Sequence, residues 1–90
     1  MIYMIDHFDS FTYNIVQALG EMGEEIVVRR NDAIDFDEID RLAPDLIFLS
    51  PGPKRPEDTG MTMEVVRRYS GQIPIFGVCL GHQTIAHVFG

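Results

Sequence analysis

The sequence predicts an α/β fold, a parallel sheet flanked by helices, and three observations carry that expectation. Short apolar runs alternate with longer segments of helical period, as in βαβ units. The runs Leu46-Ile47-Phe48-Leu49 and Ile73-Pro74-Ile75-Phe76 are near-continuously hydrophobic, as strands buried on both faces are. Finally, 90 residues of 46% hydrophobic composition fit one small globular domain and exclude both a disordered chain and a two-domain one.

The elements follow in order. A first strand runs from Ile2 to Ile5. Phe11, Ile15, Val16, Leu19 and Met22 then recur at helical spacing behind Asp9-Ser10, either of which can cap a helix, and Gly20 and Gly23 offer ways to end it. A second strand covers Glu25 to Val28, and a second helix Phe36 to Leu42, stopped by Pro44. Leu46 to Leu49 form strand three, Met61 to Tyr69 a helix stopped by Gly71, and Ile73 to Val78 strand four; strands three and four are expected at the centre of the sheet. Gly81 to Gly90 opens a fourth helix. An open parallel sheet needs each strand covered, so residues 1–90 read as the N-terminal portion of a longer single domain.

Seven Lys plus Arg against fourteen Asp plus Glu leave a formal charge of −7, and the basic residues form no run longer than the pairs Arg29-Arg30, Lys54-Arg55 and Arg67-Arg68. That pattern lacks the footprint of a protein bound to nucleic acid or to an anionic membrane. A lone cysteine, Cys79, makes neither an internal disulfide nor a multi-thiolate zinc site, so a reducing, cytoplasmic setting is expected. No apolar stretch approaches the roughly 18 residues that cross a bilayer, and the N-terminus lacks the basic flank and long apolar run of a signal peptide. G-x-G-x-x-G, Walker and metal-ligand spacings are absent, so no cofactor is implied.

The most specific local pattern is Gly77-Val78-Cys79-Leu80-Gly81, set between an apolar strand and an incipient helix. It is a nucleophile elbow with cysteine as the nucleophile; the flanking glycines let strand and helix backbones pass closely. At a helix N-terminus the free N–H groups and the helix dipole favour thiolate over thiol, so the turn that displays Cys79 also activates it. The competing account is a small buried hydrophobe, a common fate of free cysteine. Acyl transfer also needs an oxyanion hole, built in elbow enzymes from the N–H after the nucleophile and one from a neighbouring loop. Leu80 supplies the first. In Ser50-Pro51-Gly52-Pro53-Lys54 the prolines have no N–H, leaving Gly52 and Lys54, of which Gly52 admits the closer approach; a rigid turn explains the same residues.

The remaining candidates are less telling. His82 and His87 sit on the elbow helix, whereas a base normally comes from another loop, so both read as structural or capping. His7, after strand one, is weaker still, and Asp6 to Thr12 reads as cap and turn chemistry. Gln83, one helical turn past Cys79, either reaches over a substrate or faces solvent; spacing leaves both open.

Taken together, Gly77-Val78-Cys79-Leu80-Gly81-His82-Gln83, Leu49-Ser50-Pro51-Gly52-Pro53 and Asp9-Ser10-Phe11-Thr12-Tyr13-Asn14 resemble the class I glutamine amidotransferases. Within them the match is to the glutaminase components of anthranilate and aminodeoxychorismate synthases. The resemblance covers all 90 residues. It implies a flavodoxin-like sheet and a Cys79 nucleophile that attacks glutamine to form a glutamyl thioester and ammonia. It further implies oxyanion contacts from Gly52 and Leu80, and a substrate pocket of Gly52, Pro53, Lys54 and Gln83. It makes L-glutamine the substrate and a chorismate-aminating synthase subunit the partner, and places the base and its orienting acid, a His and a Glu, far beyond the elbow. Two residues depart from the family pattern. Lys54 stands where Gly is common, which would cost about 1 to 2 kcal/mol if that backbone is left-handed, and His7 stands where Asn is common. A catalytically incompetent, partner-binding module and a different elbow-type cysteine hydrolase are the rival readings.

Overall fold

The computed structural model describes residues 1–7, 11–52, 61–78 and 80–89. They form β1 (Ile2–Asp6), α1 (Phe11–Glu21), β2 (Ile26–Arg30), α2 (Phe36–Leu42), β3 (Leu46–Leu49), α3 (Met61–Tyr69), β4 (Ile75–Gly77) and α4 (Leu80–Phe89). All strand pairs are parallel, in the order β2-β1-β3-β4. This is the flavodoxin-like order, and chain direction across the sheet reverses between β1 and β3, where ligands of open α/β sheets bind at the carboxyl ends of the strands.

Strand alternation divides the core in two. Tyr3, Ile5, Ile47 and Leu49 point to one face, where Ile39 of α2, Val65, Val66 and Tyr69 of α3, and Ile85 and Val88 of α4 pack on them. Ile2, Met4 and Phe48 point to the other, covered by Ile15, Val16 and Leu19 of α1. Among the described residues, one face thus carries three helices and the other carries one. Phe76 shows the consequence: it stacks on Phe48 with ring centroids 5.3 Å apart, yet is 54% exposed.

Several boundaries differ from the sequence expectation, each for a backbone reason. β2 begins at Ile26 and reaches Arg30, because the register with β1 aligns Ile2 with Ile26 and Asp6 with Arg30. Gly20 lies inside α1; the helix ends where Gly23 takes φ of 87°, leaving Met22 exposed rather than on the packed stripe. The expected central position holds for β3 and not for β4, which is an edge among the described strands; β1 is the other inner strand. β4 is also shorter than expected, starting after Pro74, which has no N–H to give.

The ends of α2 and α3 show how local chemistry sets length. Asp35 caps α2 by accepting the Asp37 N–H at 2.9 Å, with Asp37 and Glu38 favourably placed in the first turn. Its C-terminus is set one residue before Pro44 by Ala43, at φ 45° and ψ 59°, whose N–H donates to the Ile39 carbonyl. α3 ends ahead of Gly71, at φ 84°, a left-handed position that glycine takes without strain. α2 is tied to the sheet by Arg29, which donates two hydrogen bonds to Glu38 at 2.9 Å each and holds that carboxyl below its ordinary range.

Ala43 occupies backbone space that costs a residue with a side chain about 1 kcal/mol or more. Ala43→Gly is therefore expected to raise stability by about 1 kcal/mol, a Tm increase of about 4 to 8 °C for a domain of this size. Thermal unfolding checks it, and an unchanged or lower Tm would contradict the left-handed cap.

Candidate active site

Three strand ends meet at the carboxyl edge of the sheet. β1 runs into His7, β3 into Ser50-Pro51-Gly52, and β4 into Val78 and then the start of α4 at Leu80. Backbone hydrogen bonds carry the pairing past the strands: Ser50 N–H donates to Ile5 O at 3.0 Å and Val78 N–H to Leu49 O at 3.1 Å. Gly81 N–H then turns back to Val78 O at 3.0 Å, closing the bend between strand and helix.

This bend depends on residue 81 having no side chain. A Cβ on Gly81 would stand 2.6 Å from Leu49 Cβ and 2.9 Å from the Leu49 carbonyl carbon, separations that real Cβ atoms essentially never show. The first turn of α4 therefore rests directly on the last residue of β3. Since Leu49 immediately precedes Ser50-Pro51-Gly52, the contact brings the Gly52 loop to the N-terminus of α4. The role expected of the second elbow glycine, allowing close backbone passage, is borne out here.

The predicted site residues fall into two groups. Cys79, Pro53 and Lys54 lie outside the described residues. Leu80 opens α4, Gly52 lies partly exposed beyond β3, and Gln83 is exposed one turn into α4. The structure thus brings the Gly52 loop and the Leu80 turn to one end of the sheet, with Gln83 on the helix above them. His87 is exposed in the last turn of α4, remote from the elbow end of that helix. Among the described residues, no group of His, Cys, Asp or Glu could hold a metal ion. Likewise no described helix is long and apolar enough to cross a membrane.

His7 is the residue whose place sequence reasoning undervalued. It is 2% exposed, and its ring joins two other elements: Nδ1 lies 2.9 Å from Ser50 O and Nε2 2.9 Å from Thr62 Oγ1, near the start of α3. A carbonyl oxygen only accepts, so Nδ1 carries the proton and, in the neutral ring, Nε2 accepts from the Thr62 hydroxyl. His7 N–H also donates to Ser50 Oγ at 3.0 Å, and that hydroxyl donates on to Pro51 O at 3.0 Å. With the Ser50 N–H given to Ile5, every polar group of Ser50 is engaged. Nearby, Thr12 Oγ1 donates to Asp6 Oδ1 at 2.9 Å, joining α1 to the end of β1. Ser50 and Thr62 are both fully buried, a fact that no local pattern announces, because the partner lies 43 residues away for Ser50 and 55 for Thr62.

Burial holds the His7 imidazole below the ordinary histidine value of 6.5, against smaller raising effects of the Ser50 hydrogen bond and Asp6. The ring is thus kept neutral.

The G-x-C-x-G pattern of the sequence falls where the fourth parallel strand gives way to α4, beside a Gly-containing loop, and that is the setting of the elbow-type α/β class. Comparison with known proteins narrows it. The family model for class-I glutamine amidotransferases matches residues 3–90, and the chain belongs to that family. Among its relatives, the aminodeoxychorismate/anthranilate synthase component 2 of Bacillus subtilis is 61% identical over the whole chain, which covers 46% of that protein. The aminodeoxychorismate synthase component 2 of Escherichia coli is 49% identical, again over the whole chain and 48% of its own length. The crystal structure of a GMP synthase-type protein from Thermoplasma acidophilum superimposes with a TM-score of 0.78 at 31% identity, over 99% of this chain and 44% of that one. The chain therefore spans about half the length of the curated relatives it matches.

Two outcomes are expected from this geometry. Gly81→Ala drives a methyl into the backbone of Leu49, at a cost of about 1 to 3 kcal/mol; it should lower Tm and displace the elbow, and an unchanged Tm would contradict the close contact. Because the folded-state pKa of His7 is depressed, the unfolded chain binds that proton more readily. Stability is thus full above 6.5 and falls as pH drops below it. His7→Asn should flatten that portion of the Tm against pH curve, and an unaltered slope would mean that His7 does not cause it.

Proposed function

We propose that the chain is the nucleophile-bearing portion of a single glutamine amidotransferase domain that releases ammonia from L-glutamine and passes it to a chorismate-aminating synthase subunit in the cytoplasm. The observation that supports this reading is the contact of Gly81 with Leu49, which sets the start of α4 against the residue that leads into the Gly52 loop. Family membership and the names of the component 2 relatives support the same reaction and partner class.

In this mechanism the Cys79 thiolate attacks the carboxamide carbon of the glutamine side chain. The carbonyl oxygen becomes an oxyanion, stabilised by the backbone N–H groups of Gly52 and Leu80. Collapse breaks the C–N bond, the nitrogen leaves as ammonia with the proton that the base took from the thiol, and a glutamyl thioester remains on Cys79. Water then attacks the thioester carbon, releasing glutamate and restoring the thiol. Gln83, Pro53 and Lys54 line the substrate side of this site. The positive end of α4 favours both the thiolate and the oxyanion.

His7 is not the base of this reaction, since its two ring nitrogens are engaged by Ser50 and Thr62. By resemblance to the family, the base is a His oriented by a Glu from the stretch of the relatives' length that these 90 residues do not span. Proton transfer contributes about 10² to 10⁴-fold to such a reaction, so residues 1–90 alone should be acylated at Cys79 without sustained turnover.

A chloroketone analogue of glutamine, applied to the full-length protein, tests the assignment. Stoichiometric labelling of Cys79 that glutamine slows, together with loss of glutaminase activity in Cys79→Ser, is the expected result. Hydrolysis that survives the Cys79→Ser change, or labelling indifferent to glutamine, would favour a partner-binding module or another hydrolase.

A further inference from the structure

We infer that His7 is a positioning residue for the oxyanion loop: its imidazole, braced by Thr62, holds Ser50 and through it the backbone that presents Gly52. The inference rests on the glutaminase reading above and assigns a task to a side chain which that mechanism does not otherwise use.

Between β3 and Gly52 there are just two residues, Ser50 and Pro51. Proline has a fixed φ and no N–H, so it cannot be anchored through a backbone donor. The placement of Gly52 is consequently inherited from Ser50. Ser50 is held at its N–H by Ile5, at its carbonyl by His7 Nδ1 and at its hydroxyl by the His7 N–H. Two of these three anchors come from His7. The hydroxyl also donates to Pro51 O, which passes the constraint one residue nearer to Gly52.

Thr62 makes the clamp directional. An imidazole bonded at one nitrogen alone can swing about its ring axis, whereas Thr62 Oγ1 at 2.9 Å from Nε2 fixes the ring plane and keeps the Nδ1 proton on Ser50 O. Thr62 is itself fully buried near the start of α3, so the brace is set in the packed core and not in a mobile surface. Oxyanion stabilisation demands donors placed to a few tenths of an ångström, and loss of one donor costs about 10² to 10³ in kcat. A loosened loop forfeits some of that.

Amide replacements separate the two ring contacts. The Asn side-chain N–H sits where Nδ1 does and can still reach Ser50 O; the Gln side chain reaches toward Thr62 and leaves Ser50 O without its donor. In the full-length protein, His7→Asn should keep kcat for glutamine hydrolysis within about threefold of wild type, while His7→Gln should lower it about tenfold or more, with KM little changed in both. Alkylation of Cys79 by iodoacetamide passes through no oxyanion, so its rate should be the same in all three proteins. A structural role alone would lower Tm without this split. Should the His7→Gln protein fail to fold, Ser50→Ala removes the hydroxyl anchor and should give the same pattern: lower kcat, steady KM, unchanged alkylation.

Equal kcat for wild type and His7→Gln, or for wild type and Ser50→Ala, overturns the inference. So does a parallel fall in alkylation rate, which would place the defect at the nucleophile. If wild-type protein hydrolyses no glutamine, the functional reading fails and takes this inference with it; wild-type hydrolysis with unaffected variants sinks the inference alone.

Discussion

The first turn of α4 lies on the end of β3 with no side chain between them, and the arrangement of this site follows from that contact. Gly81 is buried against Leu49 at a distance that excludes even a methyl group. A helix that close must leave β4 through a sharp bend, which Gly81 N–H closes onto Val78 O. The bend puts the start of α4 beside the loop after β3. A bulkier residue would push the helix outward and separate the start of α4 from the loop after β3.

Around that contact the sheet distributes tasks by position. Its carboxyl edge, at the switch between β1 and β3, bears polar residues with complete hydrogen bonding: His7, Ser50 and, from α3, Thr62. Beneath them lie Tyr3, Ile5, Ile47 and Leu49, all fully buried. A polar network over an apolar floor is costly if any member lacks a partner, and rigid if none does. Here the rigidity falls on Ser50, the residue from which the Gly52 loop departs. The opposite end of the domain carries the more exposed interactions, such as the N-terminal ammonium on Asp45, which matter less for stability because water competes for them.

The two faces of the sheet differ in cover, and that difference explains the exposed aromatic at its edge. α2, α3 and α4 pack on the side of Tyr3 and Ile5, and α1 packs on the side of Ile2 and Met4. Phe76, on the lightly covered side and on the edge strand among those described, keeps over half its surface in contact with solvent. Its apolar neighbours alone suggested an inner strand; its place in the sheet order decided otherwise.

What could be read from residues in line was whatever depends on neighbours in the chain. Helices α2 and α3 have the bounds that their periodicity indicates, since capping by Asp35 and the left-handed Gly71 are local events. The close passage from β4 to α4 was legible for the same reason: glycines at 77 and 81 between strand and helix indicate a tight backbone path by themselves. The close fit of Gly81 was implied there, though not its partner Leu49. Register lay beyond local reading, which is why β2 began later and β4 stands at the edge of the described strands: the hydrogen bonds that decide both run between segments far apart in sequence. The same holds for His7, whose surroundings in the chain suggest only a turn. Its ring meets Ser50 and Thr62 because β1 and β3 pair side by side and α3 packs on their face, and burial, which turns a titratable side chain into a neutral clamp, exists only once those elements have assembled.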